Sequence, residues 1–393
     1  MSRVCSIFSQ LLQLFPRIEF ERAVRVHKAE RHARGFTSWG QFVGMLFCQL
    51  GRAHSLREIC GGLASCEGKL KHLGVPLAPK RSTLAYANEH RPWELHQTVF
   101  GQLLEKCQQE VKSRGGRKKF RFKNKLMSLD GSVIDLSVSL YDWAKFRRTK
   151  GAIKLHLLLD HDGYLPSFAV VTEGKASELK VARTLSFEPG TILAIDRGYI
   201  DYEWFVDLSR RGVFFVTRMK QKASYTVIEK REVPKNRNVL ADEVICFYSQ
   251  VGEGKEYFFR RVEVWNEEKQ ESVVFLTNLL ELGATTIAAI YKDRWQIELF
   301  FKALKQNLKI KTFVGTSANA VKTQVWTALI AILLLRYLQL RAKFGWSLSN
   351  LAALLRQQLF VYRDLFAWLD KPFEAPPALE GVHDVQLPLA LTW

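Results

Sequence analysis

Hydrophobic positions along the chain follow two regimes. Up to about residue 110 apolar residues recur at helical intervals in short runs. The spacing predicts helices over residues 4–15 and 19–30, parted by Pro16, and an apolar helix over 39–51 behind the capping pair Thr37-Ser38. Ser55-Leu-Arg-Glu58 is a capping box that opens another helix. A Gly- and Pro-broken loop over 73–80 leads to a helix starting at Arg81-Ser82-Thr83. That helix can carry Thr83, Tyr86 and Asn88 toward a groove, as a helix-turn-helix does; plain helical packing explains the same pattern.

From residue 125 the period shortens to that of strands. Strands are expected over 125–132, 152–159 and 165–171, the last two joined by the turn Asp160-His-Asp-Gly163. A helix over 178–185, a strand over 191–195, a helix over 202–211 and a strand over 213–217 follow. A three-strand meander followed by parallel units is the ribonuclease-H-like arrangement of an α/β core, in which the first and fourth strands are neighbours. That order sets Asp130, in Leu-Asp-Gly-Ser, beside Asp196, in Ala-Ile-Asp-Arg-Gly-Tyr. Residues 219–280 interrupt the core with strands over 225–228, 244–248, 257–264 and 272–277.

An uninterrupted helix is expected next, capped by Thr285 or Thr286, with no Gly or Pro before Gly315. At about 100° per residue, Tyr291, Arg294, Glu298 and Lys305 fall within roughly 60° of one another and form one polar ridge. An apolar seam of Ile290, Ile297, Phe301, Leu304 and Leu308 runs beside it. An apolar helix over 321–342, a capped helix over 349–369 and a Pro-containing tail from Pro372 complete the chain.

Charge narrows the choice of partner. Lys and Arg outnumber Asp and Glu by 58 to 39 in 393 residues, a net +19, which suggests a polyanion, nucleic acid before membrane. Between residues 111 and 129 lie Lys112, Arg114, Arg117, Lys118, Lys119, Arg121, Lys123 and Lys125 with no acid, broken by Gly115-Gly116. This stretch reads as a linker that is either solvated or tracks phosphates. The six cysteines show no paired metal spacing, and the uncharged apolar run over 323–335 is too short to span a bilayer. With no signal peptide, the expectation is a cytoplasmic protein with no membrane partner.

On the polar ridge a carboxylate can bind a metal and cations can hold phosphates, while a solvated helix face with i,i+4 Arg–Glu pairs explains the same residues. Two ions about 3.5–4 Å apart need shared acidic oxygens, and Mg²⁺ takes few carboxylates while keeping waters and substrate oxygens. Asp130 and Asp196 from neighbouring strands and Glu298 from the helix suit that task. Other acids have local explanations: Asp160 and Asp162 belong to a turn, Asp201 is a helix cap, and Asp293 points off the ridge. Asp135, Asp142 and Glu203 have no clear role, and His156 reads as a structural hydrogen-bonder.

The pattern Tyr-x2-Arg-x3-Glu-x6-Lys, with the two upstream aspartates in their contexts, resembles the signature of DDE-type insertion-sequence transposases of the insertion-sequence-four branch. The resemblance covers nearly the whole chain. It implies that Asp130, Asp196 and Glu298 are catalytic and hold Mg²⁺, with Mn²⁺ able to substitute, and that Tyr291, Arg294 and Lys305 hold DNA phosphates. It implies a helical DNA-binding domain over 1–110, a basic linker over 111–124 and a core over 125–218. A β-rich insertion over 219–280, a completing segment over 281–370 and a tail over 371–393 follow. The implied partners are double-stranded DNA, as terminal inverted repeats and target, and a second copy of the chain in the DNA complex. The implied activity is cut-and-paste transposition in a prokaryotic cytoplasm, on the nucleoid when bound to DNA. Trp265 is the nearest candidate for the tryptophan with which some relatives hold a flipped base. Two alternatives remain: a nuclease that hydrolyses DNA without strand transfer, and a non-enzymatic DNA-binding descendant, which retention of all three acids disfavours.

Overall fold

The computed structural model describes residues 5–31, 33, 35–66, 68–114, 119–136, 143, 145–147, 150–233, 238–248, 256–310 and 312–374. Asp142, Arg117, Lys118, the Gly115-Gly116 pair and the tail from residue 375 lie outside them.

Six helices come first: α1 (Ile7–Leu12), α2 (Arg17–Val26), α3 (Ser38–Leu50), α4 (Leu56–Ala64), α5 (Arg81–His90) and α6 (Glu94–Ser113). Their starts follow from capping chemistry. Thr37 Oγ1 accepts from Gly40 N–H, and Ser55 Oγ accepts from Glu58 N–H while Glu58 Oε2 accepts from His54 N–H. On α5 the expected outward row is corrected at one position. Asn88 lies one turn beyond buried Leu84, is itself buried, and accepts from Gln41 Nε2 of α3 at 2.9 Å. Tyr86 is exposed and stacks on His90.

Among the described residues ten strands form one mixed sheet: β1 (Leu126–Leu136), β2 (Lys145–Arg147), β3 (Lys150–Asp160), β4 (Leu165–Glu173), β5 (Ile192–Ile195), β6 (Phe214–Arg218), β7 (Thr226–Lys230), β8 (Val239–Tyr248), β9 (Glu256–Asn266) and β10 (Glu271–Thr277). Two helices cross over between parallel strands, α7 (Glu178–Arg183) before β5 and α8 (Tyr202–Arg210) before β6. β1 pairs in parallel with β5, and β5 with β6. β10 then joins β6 antiparallel, so the strands of the 219–280 region continue the same sheet as β6-β10-β9-β8-β7. Alternation covers both faces. Leu126, Ile192, Ala194 and Val216 face the helix that follows β10, whereas Met127, Leu193, Ile195 and Phe215 pack with Trp204, Phe205 and Leu208 of α8.

Five helices close the chain: α9 (Ala284–Asp293), α10 (Trp295–Asn307), α11 (Ala318–Arg341), α12 (Leu348–Gln358) and α13 (Leu365–Asp370). By length and composition α11 could cross a membrane, but it is mostly buried and packs against α3, α5 and α6. One hydrophobic cluster joins Phe42 and Leu46 of α3, Leu103 of α6, Leu329 and Leu333 of α11, and Leu155 and Leu157 of β3. The first helices therefore share a core with the last. The expected helix over 349–369 is two helices because α1 uses the carbonyls between them: Phe8 N–H donates to Leu359 O and Ile7 N–H to Val361 O.

The expected unbroken helix is also two. Gly283, not Thr285 or Thr286, caps α9, and the break falls at Arg294, whose N–H is shared between Ile290 O and Tyr291 O. Asp293, just before the break, is 2 % exposed. It accepts from Lys119 Nζ at 2.5 Å, from His161 Nδ1 at 2.6 Å and from the Tyr164 hydroxyl at 3.5 Å. This fixes the junction to the β3–β4 turn. Burial alone pushes the Asp293 carboxyl up, but His161 and Lys119 outweigh it and hold it below the usual carboxylate range. A depressed carboxylate stabilises the fold above its unfolded pKa, and loses that effect as pH falls through its folded one. Asp293→Asn is expected to cost about 2–3 kcal/mol near neutral pH. Denaturant melts should show the gap to wild type closing as the medium is made acidic.

Candidate active site

The parallel register fixes the first two acids. Leu129 pairs with Ile195, and Asp130 and Asp196 are the next residue on each chain. They therefore stand side by side, about one strand spacing of 4.8 Å apart along the backbone. β5 ends there, and Asp196 opens a short 3₁₀ turn, Arg197–Tyr199. β1 continues, pairing with β3, so the Asp130 side chain is only 20 % exposed. Asp130 Oδ1 accepts from Gly131 N–H at 2.8 Å. Burial pushes the Asp130 carboxyl up to about 6; Gly131 N–H and Arg294 pull it down, and Glu178 and Asp196 push it up.

The third acid arrives on α10. Arg294, 9 % exposed, joins it to the strand pair: Nη2 donates to Glu298 Oε1 at 2.5 Å, and Nη1 lies 3.6 Å from Asp130 Oδ2. The guanidinium also sits over the Tyr291 ring at 5.5 Å, and that ring packs on Phe275 of β10. Burial raises the Tyr291 phenol, with Asp196 adding and Arg294 and Arg218 opposing, so the phenol belongs to the same neighbourhood. Asp130, Asp196, Tyr291, Arg294 and Glu298 are thus gathered at one place. Lys305, two turns along α10, donates to Val133 O of β1 at 3.0 Å.

No three Asp, Glu, His or Cys side chains among the described residues stand together at metal-holding spacing. The reason is visible in Arg294, whose cation bridges a strand acid and the helix acid. The donors fit a divalent ion by their chemistry: they are hard carboxylate oxygens, the set that takes Mg²⁺ or Mn²⁺. Asp130, raised to about 6 chiefly by burial, stands beside a second acid, and a bound cation would favour the charged form of both.

Nearby residues resolve into structural duties. Asp201 caps α8 through Trp204 N–H at 2.8 Å, and His156 Nε2 lies 2.9 Å from Thr172 Oγ1. Asp160 pairs with Lys125 and accepts from Asp162 N–H. Asp135 is exposed, and Trp265 is half-buried in β9. In the basic stretch, Arg114, Lys119 and Lys125 pair with Glu110, Asp293 and Asp160. Internal acids thus take part of the charge expected for phosphates. One acid at the site had no signal in residue spacing. Glu178, at the start of α7, faces the pair across the glycines of both aspartate contexts.

A raised carboxyl favours the fold most below its unfolded pKa, and that contribution is lost as pH rises through its folded pKa. In chelator at pH 7, Asp130→Asn should be more stable than wild type by on the order of 2–3 kcal/mol. The difference should shrink between about pH 6 and the ordinary aspartate value of 3.8, as read by denaturant melts at several pH values.

Residues 122–334, more than half of the chain, match the family described as Transposase DDE domain, and residues 4–76 match a domain of unknown function (DUF4372). The chain is 30% identical over 331 residues to a protein of Sinorhizobium fredii named as transposase y4zB, covering 83% of this chain and 89% of that one. It is 26% identical over 259 residues to a transposase named for insertion sequence element IS5377 of Geobacillus stearothermophilus, with 65% and 67% covered. A transposase named for element IS4SA of Synechocystis shares 26% identity over 257 residues, with 63% and 69% covered. With the strand acids adjacent and the helix acid tied to them, the chain belongs to the DDE-domain transposase family.

Proposed function

We propose that this protein is the transposase of a bacterial insertion sequence of the insertion-sequence-four branch, cutting at the ends of its element and joining the 3′-hydroxyl ends to target DNA. The observation that carries the reading is the parallel register Leu129–Ile195, which sets Asp130 beside Asp196, with Glu298 linked to Asp130 through Arg294. The sheet order β3-β1-β5-β6 supports a ribonuclease-H-like core, and β7–β10 form its insertion.

Asp130, Asp196 and Glu298 would hold Mg²⁺, or Mn²⁺ in its place. Bound there, such ions supply activation of the attacking water or 3′-hydroxyl and stabilisation of the leaving oxygen. Glu298 joins the strand acids by exchanging its bond to Arg294. The released guanidinium, with the Tyr291 hydroxyl beside it, then takes a DNA phosphate. Lys305 takes another further along the same helix. Two copies of the chain, one per element end, bring the ends together.

The test is incubation of the full chain with DNA bearing paired terminal repeats, Mg²⁺ and a target plasmid. The reading expects end-cut DNA followed by joined products. Cutting that never proceeds to joining would mark a hydrolytic nuclease, and binding without cutting a DNA-binding descendant; either outcome contradicts it.

A further inference from the structure

We propose that Glu178 is a fourth carboxylate of the cation site, seated by the glycines of the two aspartate contexts, with the Tyr199 hydroxyl as its companion donor. The proposal rests on the reading of Asp130 and Asp196 as metal-binding acids.

Space is the first observation. A Cβ on Gly131 would lie 3.0 Å from Glu178 Oε1 and 3.3 Å from its Cγ, and a Cβ on Gly198 would lie 3.5 Å from Oε2. Gly131 directly follows Asp130, and Gly198 comes two residues after Asp196. Neither glycine is among those with positive φ, so the backbone conformation does not call for them. A larger residue at 131 would crowd the Glu178 side chain first and then Lys154, whose Cδ lies 3.3 Å from the same point.

An unpartnered group is the second observation, and it is independent of the acids. Tyr199 is 1 % exposed, and its hydroxyl has no hydrogen-bond partner among the described residues. A buried polar atom left unpaired is costly, so one that persists beside a site has a partner to meet there. Burial raises this phenol strongly, and the neighbouring Glu178, Asp130 and Asp196 carboxylates, in that order, push it further.

A partly buried ion pair is the competing explanation. Lys154 Nζ lies 3.3 Å from Glu178 Oε1 and also donates to Ala176 O at 3.2 Å. Both members of that pair share the space over Gly131, but the pair leaves the buried Tyr199 phenol without a partner among the described residues. A hard divalent ion surrounds itself with about six oxygens, more than three acids supply. Glu178 adds an oxygen to the ion or to a water on it, and Tyr199 donates to that oxygen or water.

The experiment is calorimetric titration of Mn²⁺ into the full-length protein, with chelator melts and end-DNA binding without metal as controls. Glu178→Gln should weaken Mn²⁺ binding by about tenfold and Tyr199→Phe by a smaller factor, as partners of metal-held groups do. Both should bind end DNA normally in chelator. Gly131→Ala should weaken Mn²⁺ binding in the same direction by crowding Glu178. Lys154→Met should leave Mn²⁺ affinity intact. Wild-type affinity in Glu178→Gln, with affinity lost in Asp130→Asn, overturns the proposal and leaves the metal reading standing. Wild-type affinity in Asp130→Asn overturns the reading itself. Should Glu178→Gln fail to fold, unchanged affinity in both Tyr199→Phe and Gly131→Ala overturns the proposal.

Discussion

Asp130→Asn, Asp196→Asn and Glu298→Gln are each expected to lower end cleavage by about three orders of magnitude, because metal-borne charge stabilisation is worth several kcal/mol. End binding in chelator should stay within a few-fold of wild type, since each change keeps side-chain volume and removes one negative charge. The three differ in a way the geometry dictates. Glu298→Gln also removes the carboxylate that holds Arg294 at 2.5 Å, so it alone leaves that guanidinium with Asp130, at 3.6 Å, as its remaining acid before metal arrives. Single-turnover cleavage of preassembled end complexes is the measurement. Undiminished cutting by any one variant removes that residue from the triad.

Arg294→Ala should be nearly as damaging, for a different reason. The guanidinium is buried between Asp130 and Glu298. Its loss leaves two acids facing each other without a cation, and breaking a buried pair costs about 3–5 kcal/mol. In chelator the variant should melt well below wild type, and Mg²⁺ should restore part of the difference. Cleavage should fall on the order of 100-fold, because a phosphate misplaced by about 1 Å loses that much rate. The slope of log affinity for pre-cut ends against log salt should fall by about 0.9, one phosphate contact. An ordinary i,i+4 surface pair would behave otherwise, shifting stability by less than about 1 kcal/mol and leaving the slope unchanged. Melts and salt titrations on the same variant separate the two.

Features that depend on local pattern were readable before any coordinates. Strand periodicity and the order of elements were enough to put Asp130 and Asp196 on neighbouring strands, and the Leu129–Ile195 register places them so. Helical periodicity was enough to align Arg294 with Glu298. The break at Arg294 was not readable, because neither Gly nor Pro causes it. It accompanies the clamp on Asp293, whose His161 partner lies 132 positions away. Burial of Asn88 likewise depends on Gln41 of α3 and not on its own helix. The shared core of α3, α6 and α11 joins segments more than two hundred residues apart, beyond the reach of any periodicity. It also means that cutting the chain near residue 110 would strip apolar faces from both pieces. Glu178 escaped because its signal is spread over three places, an acid on α7 and a glycine in each aspartate context.

The central claim is that Asp130 and Asp196, joined by Glu298, hold the ions that cut DNA. Anomalous diffraction at the manganese edge, from crystals of the full chain with pre-cut end DNA and Mn²⁺, tests it most directly. The account predicts an anomalous peak against the Asp130 and Asp196 carboxylates, with Glu298 turned from Arg294 toward the ion and Arg294 on a DNA phosphate. A manganese peak at other residues, with the Arg294–Glu298 pair intact beside bound DNA, would contradict it.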